Sequence, residues 1–106
     1  MFFRKRNPSA GQQRHSKLTE AVLRSDYVAM TAAIAEGANL NELTDGMTPL
    51  LWAIMRGDLE AVRLLLESGA DPNVRPNQSD SPLWSAEDDF GFLEIAELLK
   101  SYGATK

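Results

Sequence analysis

The chain has 106 residues, 43% of them hydrophobic and 25% charged, with a formal net charge of −4. This composition fits one folded domain, is too apolar for a disordered chain, and holds no run near the ~18 apolar residues of a membrane span. There is no cysteine. That excludes disulfides, thiolate metal sites and a cysteine nucleophile, and fits a reducing, cytoplasmic location.

The charge is unevenly placed. Residues 1–17 hold five of the eleven Lys and Arg and no acid, so residues 18–106 carry six basic and all fifteen acidic side chains, a balance of −9. A body this acidic repels nucleic-acid phosphates. Residues 1–15 read as a basic, flexible N-terminal tail. The start, Met1-Phe2-Phe3-Arg4-Lys5-Arg6, lacks the apolar core of a secretory signal. Its mix of aromatics and cations is the one place where an anionic membrane surface or nucleic acid could be engaged.

Three segments then follow with the same punctuation. The first begins at Ser16, the second at Thr48 and the third at Ser81, spaced by 32 and 33 residues, and they end at Gly37, Gly69 and Gly103, spaced by 32 and 34. Ser16, Thr48 and Ser81 are N-cap residues, whose hydroxyls can accept a free N–H of the first helical turn. Pro49 and Pro82 follow at the first helical position, where the missing N–H costs nothing. Leu50 and Ala53, like Leu83 and Ala86, are spaced to share one inward helical face.

In the second segment Gly57 ends the first helix and Asp58 caps a second, predicted over Leu59 to Ser68. Leu59, Val62, Leu65 and Leu66 form its apolar stripe, and Arg63 can pair with Glu60 or Glu67. Gly69 supplies a left-handed stop. The first segment repeats this with Asp26 and Gly37. The third has its second helix predicted at about Phe92 to Ser101, with Leu93, Ala96, Leu98 and Leu99 inward. Such helix pairs bury their apolar faces only by stacking. The middle segment is the most apolar, and the outer two read as caps with polar outer sides.

The run Asp45-Gly46-Met47-Thr48-Pro49-Leu50-Leu51-Trp52-Ala53, followed by Gly57-Asp58-Leu59-Glu60-Ala61-Val62 and Leu64-Leu65-Leu66-Glu67-Ser68-Gly69-Ala70-Asp71-Pro72-Asn73, closely resembles an ankyrin repeat. The likeness extends through Gly37-Ala38-Asn39-Leu40-Asn41, through Ser81-Pro82-Leu83 and through Glu94-Ile95-Ala96-Glu97-Leu98-Leu99, and covers about residues 16–106. It implies an all-α solenoid of stacked helix–turn–helix units with short hairpin-like loops, in repeats of about 16–43, 44–76 and 77–106. Two departures stand out. The histidine that usually follows Pro-Leu is Leu51 in the second repeat and Trp84 in the third, so packing is expected to hold the loops where that histidine's hydrogen bonds would. Ala53 maps to Ala86 at +33 but Leu59 to Leu93 at +34, which places one extra residue within 87–92.

The resemblance also implies a concave protein-binding side built from hairpin tips and first helices. Matched to this sequence, the tips are Leu43, Thr44, Asp45 and Met47, then Arg75, Asn77, Gln78 and Asp80. The exposed ends of the first helices are Leu23 and Arg24, Met55 and Arg56, and Asp88 and Asp89. Trp52 and Trp84 either reach this face or pack between helices, and Trp84 is included among the binding residues. Phe90 and Phe92 either fill the third-repeat core or present an anchor. Apolar residues at tips and rims suit an interface, and methionine adapts to varied contact shapes. The acidic Asp80, Asp88 and Asp89 favour a partner with a basic patch.

Little else suggests chemistry. The single histidine, His15, lies in the tail, and no phosphate loop, zinc spacing or calcium loop is present. Glu87-Asp88-Asp89 could attract a hard cation, but consecutive residues point in different directions and nothing nearby completes an oxygen cage. No catalytic residue, cofactor, metal or small-molecule substrate is expected. The expected function is a protein-binding module that regulates or inhibits a partner and is a monomer when free. The alternative is a membrane- or nucleic-acid-tethered regulator that attaches through the basic tail.

Overall fold

The computed structural model describes residues 16–76 and 80–106. Among the described residues the α-helices are α1 (Lys17–Arg24), α2 (Tyr27–Ala35), α3 (Pro49–Met55), α4 (Leu59–Glu67), α5 (Pro82–Trp84) and α6 (Leu93–Ser101). A π-helical turn, Ser85–Asp89, continues directly from α5. Among the described residues there is no strand, only the bridge Thr44–Met47. Helices pack pairwise within each repeat, and α1, α3 and α5 form one row while α2, α4 and α6 form the other.

The helix starts follow from local chemistry. Ser16 Oγ accepts the Thr19 N–H at 3.1 Å, Thr48 the Leu51 N–H at 3.3 Å and Ser81 the Trp84 N–H at 3.0 Å. Asp26 and Asp58 cap α2 and α4 through the Ala29 and Ala61 amides at 3.0 and 3.1 Å. Each such cap stabilises its helix by about 1 kcal/mol. Gly37, Gly69 and Gly103 lie at positive φ after the second helices. The core runs through the whole stack, from Leu18, Val22 and Met30 through Leu50, Ile54, Val62 and Leu65 to Leu83, Ile95 and Leu99.

The third repeat departs from the sequence reading in an instructive way. Its extra residue widens one helical turn, Ser85–Asp89, into a π turn, in which Phe90 N–H reaches Ser85 O at 3.0 Å. Phe92 then stands where the other repeats have a capping aspartate, and α6 has no side-chain cap. The Phe92 ring instead lies against Gly57, whose added Cβ would sit 3.0 Å from it. With Phe92 taking the inward place, Leu93 is 69% exposed and Ile95 is buried, contrary to the expectation that Leu93 faces the core. In α4, Ser68 is the C-cap, so the helix ends one residue earlier than expected.

Candidate functional site: a groove between the second and third repeats

The first hairpin tip is a two-residue turn. Thr44 N–H donates to Met47 O at 2.8 Å and Met47 N–H to Thr44 O at 3.1 Å. Asp45 and Gly46 both have positive φ, 53° and 80°, as a type I′ turn requires. Trp52 holds this tip down, its indole N–H donating to Thr44 O at 3.1 Å. The loop is therefore tied by a hydrogen bond and not only by packing, and Trp52 supplies what the absent histidine would have supplied. Thr44 itself is buried, its hydroxyl 3.5 Å from that of Thr19, which corrects its expected place on the binding surface. The Asp-Gly pair in the sequence marks the turn and could have assigned Thr44 to its closing pair.

Beyond the tip, α3 and the π turn enclose a groove of about 220 Å³. Leu51 and Ile54 form its floor, Met47, Met55 and Phe90 its walls, and Asp80, Ser85 and Asp89 its rim. Met55 is 46% and Phe90 38% exposed, whereas Leu51 and Ile54 are buried. Phe90 stacks on Phe92 with ring centroids 5.2 Å apart and planes 11° from parallel. One ring of this pair thus faces the groove while the other packs the repeat junction.

The structure unites four of the expected site residues, Met47, Met55, Asp80 and Asp89, around this groove. Leu43 and Asp45 are exposed at the tip, Arg56 is exposed at the end of α3, and Arg75 is exposed on the second loop. Trp84 is exposed but is not among the groove-lining residues. Asn77 and Gln78 lie outside the described residues. Asp88 differs from the expectation of a carboxylate open to a basic partner, because Lys106 Nζ lies 2.8 Å from it. Glu87 is engaged by Lys100 and Lys106, both at 2.8 Å, and these ammonium groups hold its carboxyl below the usual range. No cluster of side chains suited to a metal occurs among the described residues.

Leu51, Ile54 and Ser85 were not among the expected site residues. The signal for them was the mismatch between +33 and +34, which places the π turn and hence the groove wall. A larger cleft, about 430 Å³, runs along the outer side of α1 and α2 at the end of the stack. Its edges are charged, with ion pairs Lys17–Glu36 at 3.5 Å and Arg24–Glu20 at 3.4 Å, so it is the more polar of the two.

A succession of stacked helix pairs, joined by short loops and sharing one core, defines a helical repeat scaffold. The chain belongs to the ankyrin-repeat family: the family model for ankyrin repeats, in three copies, matches residues 18–106. A putative ankyrin repeat protein of fowlpox virus (strain NVSL), FPV222, is 30% identical over 83% of this chain and 12% of its own length. The human DNA-binding protein RFXANK is 44% identical over 47% of this chain and 20% of its own. The E3 ubiquitin-protein ligase Ufd4 of Drosophila melanogaster is 36% identical over 94% of this chain and 4% of its own. The chain therefore spans no more than a fifth of these relatives. The crystal structure of the Bcl-3 ankyrin repeat domain matches with a TM-score of 0.77 at 27% identity, over 83% of this chain and 39% of that one. Ankyrin repeats are protein–protein interaction modules.

Proposed function

We propose that this chain regulates a partner protein by binding it through the groove between the second and third repeats. The observation that carries this reading is the apolar patch of Met47, Leu51, Met55 and Phe90 beside two carboxylates, Asp80 and Asp89. Partly exposed methionine and phenylalanine side chains lose water favourably when covered, at about 25 cal/mol per Å² of apolar area. The paired carboxylates add specificity for a partner segment that carries a cation beside an apolar anchor. At about 220 Å³ the groove is smaller than the usual small-molecule pocket, ~300–1,000 Å³, and suits a protruding side chain. The basic residues on which a membrane or nucleic-acid tether would depend lie outside the described residues.

Capture from native lysate tests the reading, comparing the intact chain with a Met47→Glu/Met55→Glu variant of equal helicity. The expected result is a stoichiometric partner retained by the intact chain and lost by the variant. Equal retention by both would place the binding face elsewhere.

A further inference from the structure

The two sides of the groove differ in chemistry. We propose that the third-repeat side takes an arginine side chain of the partner, while the α3 side takes an apolar neighbour of that arginine. This rests on the reading of the groove as the binding face and names what that face recognises.

The second repeat lines the groove with Met47, Leu51, Ile54 and Met55, all apolar. The third repeat lines it with Asp80, Ser85, Asp89 and Phe90. A cation drawn to the carboxylates therefore lies against the Phe90 ring. The side chain next to it in the partner lies against the methionines.

The charge of the groove has one sign. Asp80 and Asp89 supply it, and among the described residues no Lys or Arg lines the groove. The cleft beside α1 and α2 differs, because Lys17 and Arg24 stand there among its acids. Asp80 precedes the N-cap Ser81 and Asp89 ends the π turn, so two separate elements bring exposed carboxylates to one rim. Neither forms an ion pair with a described cation. Glu94 is unpaired as well, but it does not line the groove.

The ring is held ready. Phe92 lies nearly parallel to Phe90, with centroids 5.2 Å apart, and so covers one of its faces. Phe92 is itself lodged against Gly57. The Phe90 N–H, donating to Ser85 O at 3.0 Å, fixes the backbone from which the ring projects. Phe90 is left 38% exposed, with its other face open.

Arginine suits this side better than lysine. Its flat guanidinium stacks on an aromatic face, and its five donors can engage two carboxylates and the Ser85 hydroxyl together. It is also less strongly hydrated than an ammonium group, so it loses less on entering a partly covered site. Its methylene stem keeps apolar contact along the groove.

An NMR titration of the intact chain with N-acetyl-arginine amide and with N-acetyl-lysine amide tests this. The arginine probe is expected to shift the Phe90 ring and Ser85 amide signals selectively. It is expected to bind about two- to fivefold more tightly than the lysine probe. Phe90→Leu should abolish that preference, and Asp80→Asn/Asp89→Asn should weaken both probes. Equal affinity for the two probes overturns the choice of arginine. Shifts spread over the acidic surface, with none concentrated at Phe90, overturn the site. So does a preference that survives Phe90→Leu in a chain whose buried Val22 and Leu50 signals are unchanged. If neither probe reaches the groove yet Met47→Glu/Met55→Glu still loses the captured partner, the groove stands as the binding face and the arginine is wrong. If arginine binds at Phe90 yet that variant keeps the partner, the arginine subsite stands and the groove is not the partner's face.

Discussion

Asp58 accepts hydrogen bonds from two repeats at once. Ser25 Oγ and Tyr27 Oη in the first repeat donate to it, each at 2.8 Å, while the Ala61 amide in its own helix donates at 3.1 Å. Burial alone would push its carboxyl up, but the bonds from Tyr27, Ala61 and Ser25 outweigh that effect and hold it below the usual value. Asp58→Ala removes a helix cap and the link between repeats, and should lower stability by about 1–2 kcal/mol in urea titration. Because the folded pKa is depressed, the stabilisation is present above the unfolded value of about 4 and is lost as pH falls through the folded value. The acid limb of the stability curve should flatten in Asp58→Asn; an unchanged limb would show that the carboxylate is not responsible. Tyr27 has the opposite sign. The bond to Asp58 raises its pKa, so its contribution is present below about 10 and fades as pH rises through the folded value. Trp52→Phe keeps an aromatic side chain but deletes the N–H that ties down the Thr44 tip and part of the ring packed against the core, a change expected to cost at least about 1 kcal/mol. The same denaturation experiment checks it.

Among the elements, the π turn Ser85–Asp89 does most to shape the site. One inserted residue moves the chain after Asp89 forward, so that Phe90 reaches the groove and Phe92 reaches Gly57. Gly57 has φ of 67°, where a side chain costs about 1–2 kcal/mol. An alanine there would also press its Cβ against the Phe92 ring. Gly57→Ala should therefore destabilise by more than the backbone strain alone, and part of the excess should disappear in the Phe92→Ala background. A double-mutant cycle isolates that part, and strict additivity would contradict the contact. Much of this was legible beforehand. The caps Ser16, Asp26, Thr48, Asp58 and Ser81 and the stops at glycine are local signals, and local signals read well from sequence. The orientation of Leu93 was not legible, because it depends on Phe92 having claimed the inward position, a tertiary choice. Nor was the pairing of Asp88 with Lys106 legible, since it depends on how the residues after α6 pack.

At the scale of the molecule, the two ends of the stack differ. The positions of buried Ile54 and Leu66 correspond, at +33 and +34, to Glu87 and Lys100, which form an ion pair at 2.8 Å. The third repeat thus replaces apolar contact surface with charge, as a terminal repeat should. The first repeat does so only in α1. Helix α2 carries no charged residue: Val28, Thr31 and Ala35 stand where α4 has Glu60, Arg63 and Glu67, and Val28 is 81% exposed. Charge thus marks the third repeat and α1, whereas α2 carries none. The overall solenoid was legible from period and punctuation alone. The groove was half legible: its methionines and acids followed from the repeat register, whereas its floor and Phe90 wall required the π turn.

The central claim is that partner binding resides in the groove and not on other apolar surface. Its most direct test is the affinity of the captured partner for Met55→Glu and for Val28→Glu, two equal changes of charge at exposed apolar sites on different faces. The account predicts at least a tenfold loss, about 1.4 kcal/mol, for Met55→Glu and unchanged affinity for Val28→Glu. Loss confined to Val28→Glu would contradict it and move the binding face to α2.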